Sequence, residues 1–220
     1  VPTIRLDLGD PQQHLLAVTI ELEAPRPQLR LNLPAWTPGS YLIRDYVRHL
    51  EGLEVQCAGK PCQVRRLAPA SWQVDLGGRV GQPVQIRYRL MATDLSVRTC
   101  HLDGDHGFFA LAAVLLEVEG ERWSPHRLEI VHPNDWQAFV PLPEAGPGAW
   151  VASDFDQLVD TPLELGPHRC DGFAVAGVPA ATQDPKHKLS YAASTAWWPE
   201  GGAPNWTYHF RKKLAVQTTQ

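Results

Sequence analysis

Residues 15–23 read Leu-Leu-Ala-Val-Thr-Ile-Glu-Leu-Glu, and their period decides the class of fold. Leu16, Val18, Ile20 and Leu22 fall on one side of an extended chain, and Ala17, Thr19, Glu21 and Glu23 on the other. Alternation of this kind marks a strand with one dry face and one wet face. The same period recurs in Leu29, Leu31 and Leu33, in Trp72, Val74 and Leu76, in Val84, Ile86, Tyr88 and Leu90, and in Leu128 and Ile130. Clusters of Gly, Pro, Asn and Asp separate these segments, among them Gly9-Asp10-Pro11, Gly59-Lys60-Pro61, Gly77-Gly78 and Pro133-Asn134-Asp135. Many short alternating strands with such turns predict an all-β fold, an antiparallel β-sandwich.

Three segments depart from the pattern. The longest apolar run, Phe108 to Leu116, suits a buried strand. Leu42, Tyr46, Leu50 and Leu53 recur at helical spacing behind a capping Ser40, so 41–53 is expected to be one short helix or an irregular loop. After Val178-Pro179 neither period persists, and Trp197, Trp198 and Trp206 crowd a Gly/Pro-rich stretch. The expected division is a β-sandwich domain over 1–179 and a divergent, ill-defined C-terminal tail over 180–220.

A chain of 220 residues is long enough to bury a real core. Its net charge of −4 and scattered basic residues point away from nucleic acid and from an anionic membrane surface. No stretch has the roughly 18 apolar residues of a membrane helix. The first residues have neither the basic end nor the apolar middle of a signal peptide, and they lack an initiator Met, which reads as a fragment or a processed chain. None of Cys57, Cys62, Cys100 and Cys170 forms a Cys-x-x-Cys pair. Cys57 and Cys62 flank a hairpin turn and would bridge in an oxidising compartment, but reduced thiols are the preferred reading, and with them a cytoplasmic location.

The catalytic inventory is mostly negative. The chain has no His-Glu-x-x-His pair, no Gly-x-Ser-x-Gly elbow and no phosphate-cradling Gly loop. His101, Asp103, Asp105 and His106 form the densest polar cluster, but Asp103-Gly104-Asp105 is also what a tight turn wants, and the turn is preferred over a metal site. Eight tryptophans raise the possibility of sugar stacking. Trp36, Trp72, Trp123 and Trp136 lie in or beside strand patterns, however, and are expected to be buried.

The most distinctive stretch is Leu33 to Leu50, LPAWTPGSYLIRDYVRHL. Pro34 and Pro38 stiffen the backbone and withhold sheet hydrogen bonds, and Gly39 permits a close approach. The chain is expected to leave its strand there and present Tyr41, Arg44, Asp45 and Tyr46 from a fixed corner; on the residues alone a purely structural corner, with an Arg44–Asp45 or similar ion pair and buried rings, is preferred to a functional one.

With ATDLSVRTCHLDGDHGFF, RLEIVHPNDWQ and LVDTPLELG…FAVAGVP, in that order, this stretch resembles the N-terminal domain of the glycyl aminopeptidase family, metallopeptidase family sixty-one. The resemblance runs from about residue 3 to Pro179. It implies a β-sandwich that precedes a thermolysin-like zinc peptidase domain and a PDZ domain. The substrates implied are peptides with a free N-terminus and a small first residue. No cofactor is implied for these 220 residues: zinc would belong to the downstream domain, where a motif Glu would serve as general base.

The resemblance transfers no catalytic and no metal-binding role to any residue here. It transfers a candidate domain interface or cleft rim: Trp36, Pro38, Gly39, Ser40, Tyr41, Arg44 and Asp45, joined by Asp94, Ser96 and Arg98. The partner implied is the peptidase catalytic domain in cis, with peptide substrate touched only indirectly. Two departures stand out. The family typically reads Phe-Phe-Asn-Gly where this chain has Phe108-Phe109-Ala110-Leu111, and the sequence after Val178-Pro179 resembles nothing in the family. The alternative function is a free-standing peptide- or carbohydrate-binding sandwich.

Overall fold

The computed structural model describes residues 1–36 and 41–167 and, as backbone strands, 169–175, 178–184 and 191–193. In chain order the strands are β1 (Thr3–Asp7), β2 (Leu15–Glu23), β3 (Gln28–Asn32), β4 (Leu50–Cys57), β5 (Lys60–Pro61), β6 (Gln63–Ala68), β7 (Ser71–Asp75), β8 (Pro83–Met91), β9 (Cys100–Leu102), β10 (Gly107–Ala110), β11 (Glu117–Val118), β12 (His126–Val131), β13 (Gln137–Phe139) and β14 (Ala149–Ala152). A short helix α1 (Phe155–Val159) precedes β15 (Pro162–Gly166), β16 (Arg169–Val175), β17 (Val178–Asp184) and β18 (Tyr191–Ala193).

A seven-stranded sheet runs β14-β12-β1-β2-β8-β4-β5. Two four-stranded sheets, β11-β3-β7-β6 and β13-β15-β10-β9, contribute to the same core, and β16-β17-β18 form a three-stranded sheet. The alternation read from the sequence is the burial pattern: Leu16, Val18, Ile20, Leu29, Leu31, Val74, Leu76, Ile86, Tyr88, Leu90 and Leu128 are all buried. One neighbour relation departs from the antiparallel expectation. β1 pairs with β12 in parallel, from Thr3↔Arg127 to Asp7↔Val131. Parallel neighbours require a long crossover, and here nearly the whole sandwich lies between the two strands.

The apolar run 108–116 is not one strand. It is the end of β10, a 3-10 turn over Leu111–Ala113 and a buried connection to β11. A phenol accounts for the break in pairing: Tyr88 Oη donates to the Val114 carbonyl at 2.9 Å and accepts from the Leu116 N–H at 3.2 Å. Backbone groups that would otherwise be orphaned in the core are thereby satisfied.

The segment 41–53 also resolves differently from a helix. Only Tyr46–His49 form a 3-10 turn, and Leu50 already begins β4, so the helical spacing of Leu42, Tyr46, Leu50 and Leu53 does not define one apolar face. Trp72 and Trp136 are buried as expected, whereas Trp36 and Trp123 are exposed. Trp123 lies in a turn outside the sheets, beneath the Arg122 guanidinium at 5.6 Å. Cys57, Cys62 and Cys100 are free thiols. The expected boundary at 179/180 falls within β17, whose backbone pairs with β16 from Arg169↔Asp184 to Val175↔Val178. Trp197, Trp198 and Trp206 lie outside the described residues.

Two local features yield stability tests. The β4–β5 hairpin turns through Ala58 and Gly59, both at positive φ (51° and 72°), where L side chains other than Asn are strained. Ala58→Asn is expected to stabilise the protein by roughly 0.5–1 kcal/mol, read as a rise in Tm.

The second concerns Asp160, at the C-terminal end of α1. Burial, and then the neighbouring Asp156, push its carboxyl up from 3.8 to about 6. The protonated form is therefore favoured in the folded state. Its contribution is complete below about pH 3.8 and is lost as pH rises through about 6. Asp160→Asn should stabilise by about 1–2 kcal/mol at pH 7.5, allowing for partial solvent screening, and by almost nothing at pH 3.5. Thermal melts of the two proteins at both pH values measure this.

Candidate functional site

The corner begins where β3 ends. The Leu33 N–H donates to the Ala70 carbonyl at 2.9 Å, and Pro34 supplies no further donor. The Arg44 N–H returns to the Ala35 carbonyl at 2.7 Å and closes the excursion. Pro38, Gly39 and Ser40, with Thr37, lie outside the described residues. Trp36 marks the exit from this closure, and Tyr41, Leu42 and Ile43 the return. Beyond it, Tyr46 begins the 3-10 turn that leads into β4.

A second loop, between β8 and β9, is closed by its own side chains. Asp94 N–H donates to the Cys100 carbonyl at 3.0 Å, and Thr99 Oγ1 to the Asp94 carbonyl at 2.8 Å. Thr99 N–H reaches the Ser96 carbonyl at 3.2 Å, and Ser96 Oγ accepts from the Arg98 N–H at 3.3 Å. Ser96 and Thr99 thus hold Leu95, Val97 and Arg98 in a compact turn.

These two loops leave the sheet side by side, because Leu50 at the start of β4 pairs with Leu90 near the end of β8. Tyr46 is only 4% exposed, and burial raises its phenol above the ordinary range while the charges of Arg44 and Arg98 pull it down. Burial, then Arg48, lower His49, and Asp94 and Asp45 oppose them. Of the candidates, Arg44 and Arg98 are half-buried, Asp45 and Asp94 are exposed, Ser96 is a loop-closing residue, and Trp36 and Tyr41 are exposed.

Of the structural alternative, the Arg44–Asp45 ion pair is not formed among the described residues and Arg44 Nε is buried without a hydrogen-bond partner, whereas the Tyr46 ring is buried and the Tyr41 ring is not. Sequence reasoning missed Leu42, Ile43, Leu95 and Val97, which are exposed beside the candidates. Their signal was apolar side chains without a strand period next to Pro, Gly and Asp.

The polar cluster His101–His106 is a turn. Asp103 Oδ1 accepts from the N–H groups of Asp105 at 2.9 Å and His106 at 2.8 Å, and its Oδ2 meets His101 Nε2 at 3.0 Å. Burial opposes ionisation of Asp103, but these donors outweigh it and hold the carboxyl below its usual value. His106 Nε2 instead contacts Glu164 Oε1 across β10 and β15, deep in the core. Burial raises Glu164, against the pull of His106. Among the described residues no three His, Cys, Asp or Glu side chains are placed to hold a metal ion.

Taken together, the β-rich core and the loop-built corner define an all-β sandwich domain. A family model described as the Peptidase M61 N-terminal domain matches residues 3–167, about three quarters of the chain, and the chain belongs to that family. The crystal structure of an aminopeptidase N family protein from Idiomarina loihiensis is similar, with a TM-score of 0.77 at 30% identity over 82% of this chain and 32% of that one. An M1 zinc metallopeptidase from Deinococcus radiodurans, a variant bound to a Tyr-Ser-Ala substrate, gives a TM-score of 0.50 at 13% identity over 96% of this chain and 50% of that one. The second likeness concerns fold alone. The chain spans about a third of the first structure's length and half of the second's. No curated protein matches it.

Tyr46 is the packed centre of the corner. Tyr46→Ala is expected to destabilise by about 3–5 kcal/mol, and Tyr46→Phe, which keeps the ring, by less than about 1.5 kcal/mol. Urea denaturation of both variants checks the difference.

Proposed function

We propose that this chain is the non-catalytic N-terminal domain of a zinc aminopeptidase-like protein, and that its corner packs on a downstream catalytic domain and helps shape the substrate cleft. One observation carries the reading. Trp36, Tyr41, Leu42, Ile43, Leu95 and Val97 are exposed large apolar residues on two adjoining loops of an M61-type domain. Soluble domains seldom leave such a cluster uncovered, and interfaces within a chain are made of such surfaces.

The similar Idiomarina structure extends well beyond the part this chain covers, which supports a further domain as the occupant. Zinc would be held in that domain, since the described residues here offer no donor set. A PDZ domain farther along, a cytoplasmic location and preference for peptides with a small N-terminal residue complete the proposal.

The test is a fusion of this chain to the catalytic region of an M61 peptidase, assayed on Ala-p-nitroanilide. The chain alone is expected to be inactive and the fusion active. Tyr41→Ala with Ile43→Ala should lower kcat/KM of the fusion about tenfold without lowering the Tm of the sandwich, because both side chains are exposed. Unchanged kinetics would remove the corner from the cleft.

A further inference from the structure

The loop over 94–99, which carries Leu95, Val97 and Arg98, hangs at both ends from the short strand β9. Thr93 bridges His101, and the Asp94 N–H donates to the Cys100 carbonyl at 3.0 Å. At the other end the Ala110 N–H donates to the Thr99 carbonyl at 3.0 Å. A displacement of His101, the middle residue of β9, therefore acts directly on the loop.

The His101 imidazole has one nitrogen engaged and one bare. Its Nε2 meets Asp103 Oδ2 at 3.0 Å, and its Nδ1 is buried without a hydrogen-bond partner. Asp103 decides which nitrogen carries the proton. Its Oδ1 accepts two backbone N–H groups, from Asp105 and His106, and with His101 these hold the carboxyl ionised against the cost of burial. An ionised Oδ2 only accepts, so the neutral ring donates from Nε2 and leaves Nδ1 as a bare lone pair. A second proton has one place to go. At Nδ1 it creates a buried donor on a charged ring with no acceptor in front of it, an arrangement that is strongly penalised. Protons reach the pair through Asp103, whose side chain is 40% exposed against 15% for His101.

The charged and titratable groups around the ring are otherwise occupied. His106, with its ring centroid 5.7 Å away, is engaged with Glu164 of β15. His14, beside the 3-10 turn Pro11–Gln13, is engaged through Nδ1 with the Leu102 carbonyl. Asp94 and Asp105 are exposed. His49 is a second imidazole on which Asp94 acts, and its Nε2 accepts from Arg48 Nε at 2.9 Å.

We propose that His101 is a proton-operated latch: neutral, its Nε2–H bond to Asp103 holds β9 and the 94–99 loop in place, and a second proton at Nδ1 releases the loop. The latch is closed at neutral pH and opens below about pH 6, where imidazoles take their second proton. The loop is one half of the corner, so acid would loosen the surface that meets the catalytic region; that consequence rests on the domain reading above, and the latch itself does not.

The experiment uses the 220-residue chain, labelled with nitrogen-15, and two NMR readouts. Ring-nitrogen correlations should show His101 protonated at Nε2 at pH 7.5 and at both nitrogens at pH 5. Amide hydrogen exchange, corrected for its intrinsic pH dependence, should show the protection of the Asp94 and Ala110 N–H groups falling about tenfold or more between pH 7.5 and pH 5. The amides of β2 and β8 should keep theirs, which separates loop release from general acid unfolding.

Two variants move the loop in opposite directions, so either is informative should the other fail to fold. His101→Gln donates to Asp103 at every pH and takes up no proton, and its loop should stay protected at both pH values. Asp103→Asn keeps the Oδ1 that the turn needs but turns a donor nitrogen toward Nε2, which sends the ring proton to Nδ1. Its loop should already be unprotected at pH 7.5. A ring protonated at Nδ1 alone at pH 7.5, equal protection at the two pH values, an acid-induced loss that persists in His101→Gln, or wild-type protection in Asp103→Asn would each overturn the proposal. None of these outcomes bears on the fusion assay, which tests the domain reading separately.

Discussion

The pairing of β2 with β8 is the constraint on which the rest of the sandwich depends. Nine consecutive residues are in register, from Leu15↔Met91 to Glu23↔Pro83. A slip of one residue would turn Leu16, Val18, Ile20 and Leu22 to solvent and Glu21 and Glu23 to the core. Because β2 also pairs with β1, and β8 with β4, the register passes to both sides of the seven-stranded sheet. It fixes Tyr88 too, which faces inward opposite Val18 and there organises the turn at 111–116. It carries β4, and with it the 3-10 turn of Tyr46, to the place where the loop before β9 can reach it.

Much of this could be read from the sequence, because alternation reports a strand with a wet face directly. The strands through Leu29, Val74, Ile86 and Leu128 were legible for that reason. The segment 41–53 was not, since apolar residues at helical spacing can also be an exposed Leu42, a buried Tyr46 and two strand residues, Leu50 and Leu53. Spacing does not say which neighbours cover a side chain. The parallel β1–β12 pair was hidden for a related reason: its partners lie more than a hundred residues apart, and nothing local marks their pairing. Trp36 and Trp123 show the limit of residue-type preference, as both lie outside the strands and are exposed.

The corner was legible as a departure from β3 through Pro34, and its second half, Asp94 to Arg98, through resemblance. That the two halves lie side by side was not, because it depends on the pairing of β4 with β8. The turn at Asp103 makes the converse point. Its His and Asp residues look like metal ligands in sequence, but two backbone N–H groups occupy one Asp103 oxygen and His101 engages the other. His106 is drawn away to Glu164 on the opposite strand.

Charge placement separates what this domain needs for its own stability from what it presents outward. Acids and bases within the sheets are matched locally: Glu51 with Arg89, Glu129 with Arg127, and Glu119 with Arg26 and Arg30. His106 and Glu164 match each other inside the core. Surface pairs of this kind contribute little individually. What sets the corner apart is its apolar surface: Trp36, Tyr41, Leu42, Ile43, Leu95 and Val97 stand exposed there. A domain that stands alone gains nothing from exposing apolar side chains in this way, whereas one completed by a partner surface gains their burial.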